Sequence, residues 1–307
     1  MSQPFEQHLL RTVHLVPLTA YNEDGTLNLE AQAEHTSRMS AEGMKVFLPG
    51  AGTSEFHSLS ADEIVEIVRV TVEASSDDAL VFAPIGLQPQ HAIDIGVRSM
   101  ELGADGVMFM PFAHPYLCDE GARDYYHSVL ESVSAPALIY KKGDIPSEKL
   151  LLEVADHPLV IGVKYAVNNM HRFRTTVLAD GGRVEWLCGS AERFAPYYML
   201  AGAPGYTTGA GNLCPRLTLA MHAAFTAGDM AEGMRLQQLI IPIEDYRGRA
   251  GDSYNISMLK HGLKHLGHDF GAPRLPQRRL TKDEESEIEK MLEPILAAES
   301  ELQETYV

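Results

Sequence analysis

The 307-residue sequence predicts an α/β fold, a (β/α)8 TIM barrel with a C-terminal helical extension. Three observations lead there. Short β-rich apolar runs alternate with segments of helical period eight times between Thr12 and Ala227, and eight such units close a ring of parallel strands through right-handed crossovers. No G-x-G-x-x-G turn follows the first strand, which argues against an open doubly wound sheet. Beyond residue 228 strand patterns stop and only helical ones remain. Residues 1–228 therefore read as the barrel, and 229–307 as an extension packed on it rather than an independent domain.

The units follow in order. A first strand over 12–19 breaks at Pro17 and leads to a helix over 28–42. Strand 46–50 and the loop 51–55 precede a helix over 62–73, which the Ser60-x-x-Glu63 capping box starts. Strand and helix then alternate as 80–86 and 91–102, 106–111 and 121–133, 135–140 and 147–155. The sixth to eighth pairs are 158–165 and 170–178, 184–188 and 192–200, and a weak strand 205–208 with helix 215–227. The extension carries three helical stretches, 229–247, 253–266 and 281–298.

Composition narrows the partners. A formal net charge of −17 opposes binding to nucleic acid or to an anionic membrane. The three cysteines, Cys118, Cys188 and Cys214, form no C-x-x-C pair, and the histidines form no H-x-x-x-H or H-x-H cluster, so neither a disulfide framework nor a metal site is expected. The N-terminus lacks a signal-peptide pattern and no apolar run reaches membrane-span length, so a cytoplasmic protein is expected.

The candidate chemistry centres on Lys164, at the far end of the apolar run 158–165. An ammonium group at the end of a buried strand is costly to desolvate, so its pKa falls, and a neutral amine attacks carbonyls. Alone, the feature equally suits a lysine whose stem packs while its head reaches water. In a (β/α)8 barrel, however, working residues gather at the carboxyl ends of strands. Tyr140 ends the fifth strand beside it, and the Gly52-Thr53-Ser54 turn follows the second. Together they suit imine chemistry on a 2-oxo acid: Lys164 as nucleophile, Tyr140 as proton shuttle, and the turn as a cradle of N–H groups and hydroxyls for the substrate carboxylate. Thr208, ending the eighth strand, is a further substrate-binding candidate, and Lys141 or Lys142 a candidate for a distal carboxylate.

These residues make the chain resemble the dihydrodipicolinate synthase / N-acetylneuraminate lyase family of class I aldolase-type barrels. Family members carry a Gly-Thr-Thr-Gly-Glu loop after strand two, a Tyr ending strand five and a Gly-(Val/Phe/Ile)-Lys ending strand six. The matching residues are Gly52-Thr53-Ser54-Glu55, Tyr140 and Gly162-Val163-Lys164, and the likeness runs from about residue 8 to residue 295. Within the family the chain is most similar to the 5-dehydro-4-deoxyglucarate dehydratase branch, through Glu55-Phe56-His57-Ser58-Leu59, Arg247-Gly248-Arg249…Tyr254 and the 267–276 segment. The resemblance implies that Lys164 is the Schiff-base lysine, that Tyr140 is the shuttle and that Thr53 holds the second-threonine position of the relay and carboxylate loop. It also places Ser190 near the substrate tail. No cofactor is implied, because the covalent lysine imine does the work, and a dimer or tetramer is.

The function expected is a Schiff-base lyase acting on a small-molecule 2-oxo acid. Dehydration of a deoxy-keto sugar acid such as 5-dehydro-4-deoxyglucarate, with or without decarboxylation, stands first. A retro-aldol cleavage releasing pyruvate shares the same iminium, and a synthase-like condensation stands behind both because no arginine follows Tyr140. From another class, a non-catalytic barrel that binds a 2-oxo acid remains an alternative.

Overall fold

The apolar runs become strands because each is covered on both faces, which is the setting of a parallel sheet. In the computed structural model, which describes residues 5–305, eight parallel strands pair in chain order and close on themselves. They are β1 (Val13–Leu15), β2 (Val46–Phe47), β3 (Leu80–Ile85), β4 (Gly106–Phe109), β5 (Ala137–Lys141), β6 (Val160–Tyr165), β7 (Glu185–Cys188) and β8 (Tyr206–Thr208). Helices α1 (Leu29–Ala41), α2 (Ala61–Ala74), α3 (Pro89–Glu101), α4 (Asp119–Val133), α5 (Glu148–Val154), α6 (Met170–Asp180), α7 (Ala191–Leu200) and α8 (Pro215–Thr226) each follow the strand of the same number. The chain is a (β/α)8 TIM barrel.

Local sequence sets several boundaries. The Ser60 hydroxyl accepts from Glu63 N while the Glu63 carboxylate accepts from Ser60 N, so the expected capping box starts α2. Asn28, Ser147 and Asn169 cap α1, α5 and α6 in the same manner. The first strand is shorter than its apolar run. Beyond Leu15, Val16 N still donates to Thr208 O (3.0 Å), but Pro17 has no N–H to continue the ladder. Leu18 N then turns to the Asn212 side chain (3.1 Å).

After α8 the chain forms α9 (Met230–Arg247), a short turn α10 (Arg249–Asp252), α11 (Asn255–His265) and α12 (Lys282–Thr305). The last helix runs further than the sequence pattern suggested. Ala250, Gly251 and Asp252 all have positive φ, which reverses the chain between α9 and α11. α9 packs on α7 and α8, and α12 covers α8, α9 and α11.

The extension also returns to the carboxyl ends of the strands. Tyr21 N donates to Phe270 O (3.0 Å), and Lys260 pairs with Glu55 at 2.9 Å with both side chains buried. Arg274 N donates to Glu55 as well, at 2.8 Å, while its guanidinium binds Glu63. The Glu55 carboxylate, in the loop after β2, is therefore held by residues of the extension. Among the described residues no helix is long and apolar enough to cross a membrane.

Barrel closure depends on a close backbone approach at Gly205, where a Cβ would lie 2.1 Å from the Thr12 carbonyl oxygen. Gly205→Ala should cost at least about 1–3 kcal/mol, as overpacking against backbone does. Gly121→Ala, in α4 with only an ordinary 3.7 Å contact, should instead be neutral or stabilising by up to about 1 kcal/mol. Urea unfolding of the two variants checks the contrast.

Candidate active site

Strands β5 and β6 pair with Tyr140 opposite Lys164 and Lys141 opposite Tyr165. Side chains alternate along a strand, so the first pair faces one side of the sheet and the second the other. The second pair points into the helical layer. Lys141 Nζ donates to the carbonyls of Gly143 (2.9 Å), Asp144 (3.2 Å) and Pro146 (2.6 Å), and Tyr165 Oη donates to Glu148 (2.6 Å). Lys141 is thus a buried structural cation, which removes it as a ligand for a distal carboxylate. Lys142 remains exposed at the rim.

The first pair lies at the barrel mouth. Lys164 Nζ sits 4.1 Å from the centroid of the Tyr140 ring, on its face. The lysine is 4% exposed, and among the described residues it has no ion-pair partner. Gly189 makes room for it: a Cβ there would come within 2.9 Å of Lys164 Cγ. Burial lowers the amine from 10.5 to about 7, and the nearby cations Lys142 and Arg247 push the same way. Burial also raises the Tyr140 phenol to about 12, so it stays protonated at neutral pH. A partly neutral amine is a competent nucleophile, and a protonated phenol beside it is a competent proton donor. Below them in the barrel, His14 is kept neutral, its pKa lowered to about 4 by burial.

The loop after β2 contributes unevenly. Gly52 is exposed at the rim. The Thr53 hydroxyl donates to Asn255 Oδ1 and accepts from Arg247 Nη2, both at 3.4 Å. Ser54 is buried, and its hydroxyl donates to the Pro17 carbonyl. Thr208, also buried, accepts from Gly211 N (2.7 Å) and donates to Glu192. The hydroxyls of Ser54 and Thr208, expected to meet substrate, are engaged within the protein, one by the Pro17 carbonyl and the other by Gly211 N and the Glu192 carboxyl. Ser190, after β7, stays partly exposed.

Two residues absent from the sequence-derived set border Thr53. Arg247, at the end of α9, and Asn255, at the start of α11, bond to each other (2.8 Å) as well as to the threonine. The only sequence signal for them was the Arg247…Tyr254 segment, which carried no assigned role. Among the described residues no group of three or more His, Cys, Asp or Glu side chains is placed to hold a metal ion.

An eight-stranded barrel with its polar groups gathered where the strands end is the architecture of a barrel enzyme. The chain belongs to the Dihydrodipicolinate synthetase family, whose model matches residues 10–295, and it is a lyase-type enzyme. It is similar to the protein of Acidovorax ebreus (strain TPSY) named "Probable 5-dehydro-4-deoxyglucarate dehydratase", at 26% identity over 287 residues, covering 91% of this chain and 94% of that protein. A Bacillus subtilis (strain 168) protein of the same name is 28% identical over 284 residues, covering 90% of this chain and 91% of that protein. Among solved structures, dihydrodipicolinate synthase from Bacillus clausii superposes with a TM-score of 0.90 at 32% identity, covering 94% of this chain and 98% of that one.

The amine's position predicts its pH dependence. Because only the neutral form reacts, reductive methylation of Lys164 by formaldehyde and cyanoborohydride should rise with pH and reach half its maximum near pH 7, well ahead of the surface lysines. Peptide mapping across a pH series measures this. A midpoint near 10 would remove burial as the controlling influence.

Proposed function

We propose that the chain is a class I lyase that forms an imine between Lys164 and a 2-oxo acid. Its reaction, we infer, is the dehydration and decarboxylation of a deoxy-keto sugar diacid such as 5-dehydro-4-deoxyglucarate. The observation that carries the reading is the unpaired, desolvated Lys164 amine lying 4.1 Å from the centre of the Tyr140 ring. The names of the relatives support the substrate class. Gly52 and Thr53, after β2, and Ser190, after β7, stay partly or fully exposed and are retained as the substrate-binding candidates.

In the proposed sequence the amine adds to the keto carbon, and Tyr140 hands a proton to the carbinolamine oxygen, which leaves as water. The resulting iminium acidifies the neighbouring methylene. Proton loss there gives an enamine, which expels the hydroxyl one carbon further on as a second water molecule. What remains is an iminium conjugated to the new double bond, with the carbon that bears the distal carboxylate attached to it. That carboxylate is released as CO2, its electron pair flowing through the double bond into the iminium, and the enol so formed takes up protons at carbon and tautomerises to the aldehyde. Hydrolysis of the imine consumes one water and frees Lys164. The net change is diacid to 2-oxoglutarate semialdehyde, CO2 and one water.

Borohydride should trap pyruvate on Lys164, seen by intact mass and peptide mapping, and Lys164→Ala should abolish the adduct. Tyr140→Phe should keep the fold and slow turnover roughly hundredfold or more. Incubation with 5-dehydro-4-deoxyglucarate should yield the semialdehyde and CO2. Release of pyruvate from a 2-keto-3-deoxy sugar acid instead would assign retro-aldol cleavage, and failure to trap any 2-oxo acid would leave a binding barrel.

A further inference from the structure

Two cations act electrostatically on the Lys164 amine, and they are built differently. Lys142 is exposed, two residues beyond Tyr140. Arg247 comes from the extension, is 4% exposed and is held on several sides. Its Nη1 donates to the Glu244 carboxylate and its Nε to the Asn255 carbonyl oxygen (3.4 Å). Its Nη2 meets only neutral oxygens, Asn255 Oδ1 at 2.8 Å and Thr53 Oγ1 at a long 3.4 Å. The guanidinium lies against Gly209, just past β8, where a Cβ would come within 2.5 Å of Nη2 and 2.8 Å of Cζ. A side chain at 209 would evict it.

The charge around this fork is balanced on one edge only. Glu244 neutralises the Nη1 side. A second buried carboxyl, Glu192, stands behind, with Oε1 bonded to Thr208 and Oε2 unpartnered. Burial and the neighbouring Glu244 favour its protonated form, so it does not cancel the arginine. The Nη2 edge therefore carries positive character next to Thr53, in a location that also bears on Lys164. A carboxylate on the carbon next to an imine at Lys164 has to lie within a few ångströms of that amine.

We propose that Arg247 is a specificity-determining residue that anchors the carboxylate adjacent to the keto group, through its Nη2 edge and together with the Thr53 hydroxyl. The inference rests on the imine reading above and adds a residue of the C-terminal extension to the site. In the free protein Asn255 and Thr53 occupy the hydrogen bonds that the carboxylate takes over. Charge-assisted bonds of this kind are the stronger ones, and an arginine fork matches the two carboxylate oxygens.

The test compares two carbonyls that differ only at the group in question: pyruvate, and hydroxyacetone, which has CH2OH in place of the carboxylate. Each is trapped by borohydride on the full-length protein, and the half-saturating concentration is measured. Arg247→Lys keeps the charge and loses the fork. The double variant Glu244→Gln/Arg247→Gln removes both charges and leaves no orphaned ion. Both should raise the half-saturating pyruvate concentration roughly ten- to hundredfold and leave that for hydroxyacetone within about twofold of the parent. Gly209→Ala should behave likewise, with circular dichroism checking its fold. Lys142→Gln should change neither.

An equal loss for both carbonyls would make Arg247 a purely structural residue and overturn the proposal, as would loss of pyruvate preference in Lys142→Gln instead. If the parent protein traps neither carbonyl, the imine reading itself fails; if it traps pyruvate and the Arg247 variants keep the preference, only the arginine's role fails.

Discussion

One desolvated amine constrains the rest of the molecule. Holding Lys164 near 7 rather than 10.5 disfavours folding at neutral pH, because the unfolded chain binds a proton that the folded chain does not. Each pKa unit is worth about 1.4 kcal/mol, so the group costs a few kcal/mol at pH 7, and the cost shrinks as pH rises toward the unfolded value. The barrel has to supply that from elsewhere. It does so with strands buried on both faces and a continuous apolar core from Leu10 to Ile295. The same architecture aims the lysine: pairing with β5 sets Tyr140 alongside, and the absence of a side chain at Gly189 leaves space for the stem.

The extension belongs to this arrangement rather than standing apart from it. Glu55 is fully buried with a left-handed backbone, a conformation that costs a non-glycine residue free energy. It is retained by Lys260 at 2.9 Å and Arg274 N at 2.8 Å, while both cations also lie over the Tyr21 ring. Breaking one member of such a buried set strands the others, which is far more costly than the pair is stabilising. The loop carrying Gly52 and Thr53 is consequently tied to the extension. The turn proposed to bind the carboxylate is thereby anchored to the extension through Glu55.

What was legible from sequence follows from the range of the interactions involved. Tyr140 and Lys164 were readable because strand period and chain order alone bring them together. The helix starts at Asn28 and Ser60 were readable for the same reason: each cap closes within three residues. The bonds of the Ser54 and Thr208 hydroxyls were not legible because the direction of a hydroxyl depends on a carbonyl or carboxylate elsewhere, Pro17 for one and Glu192 for the other. Lys141 shows the alternation at work: one residue from Tyr140, it points into the helical layer and satisfies three carbonyls. Arg247 was beyond reach. It meets Thr53 across 194 positions of chain, through a helix whose pattern announces only that it is a helix.

The electrostatics of the mouth also run against the composition. A chain of net charge −17 repels anions at long range, yet Lys142 and Arg247 both bear on the Lys164 site. Screening reconciles the two. At physiological ionic strength, charges beyond about 8 Å of solvent are largely damped, whereas groups buried in low dielectric are not. An anionic substrate therefore experiences the global repulsion weakly and the local cations strongly once it enters the mouth. Burial does most to keep the amine neutral, and Arg247, proposed to receive the carboxylate, pushes the same way, so recognition of charge and preparation of the nucleophile share a residue. The fold brings these influences to bear from three elements: Lys142 follows β5, β6 carries the amine, and α9, packed back over α7 and α8, carries the arginine.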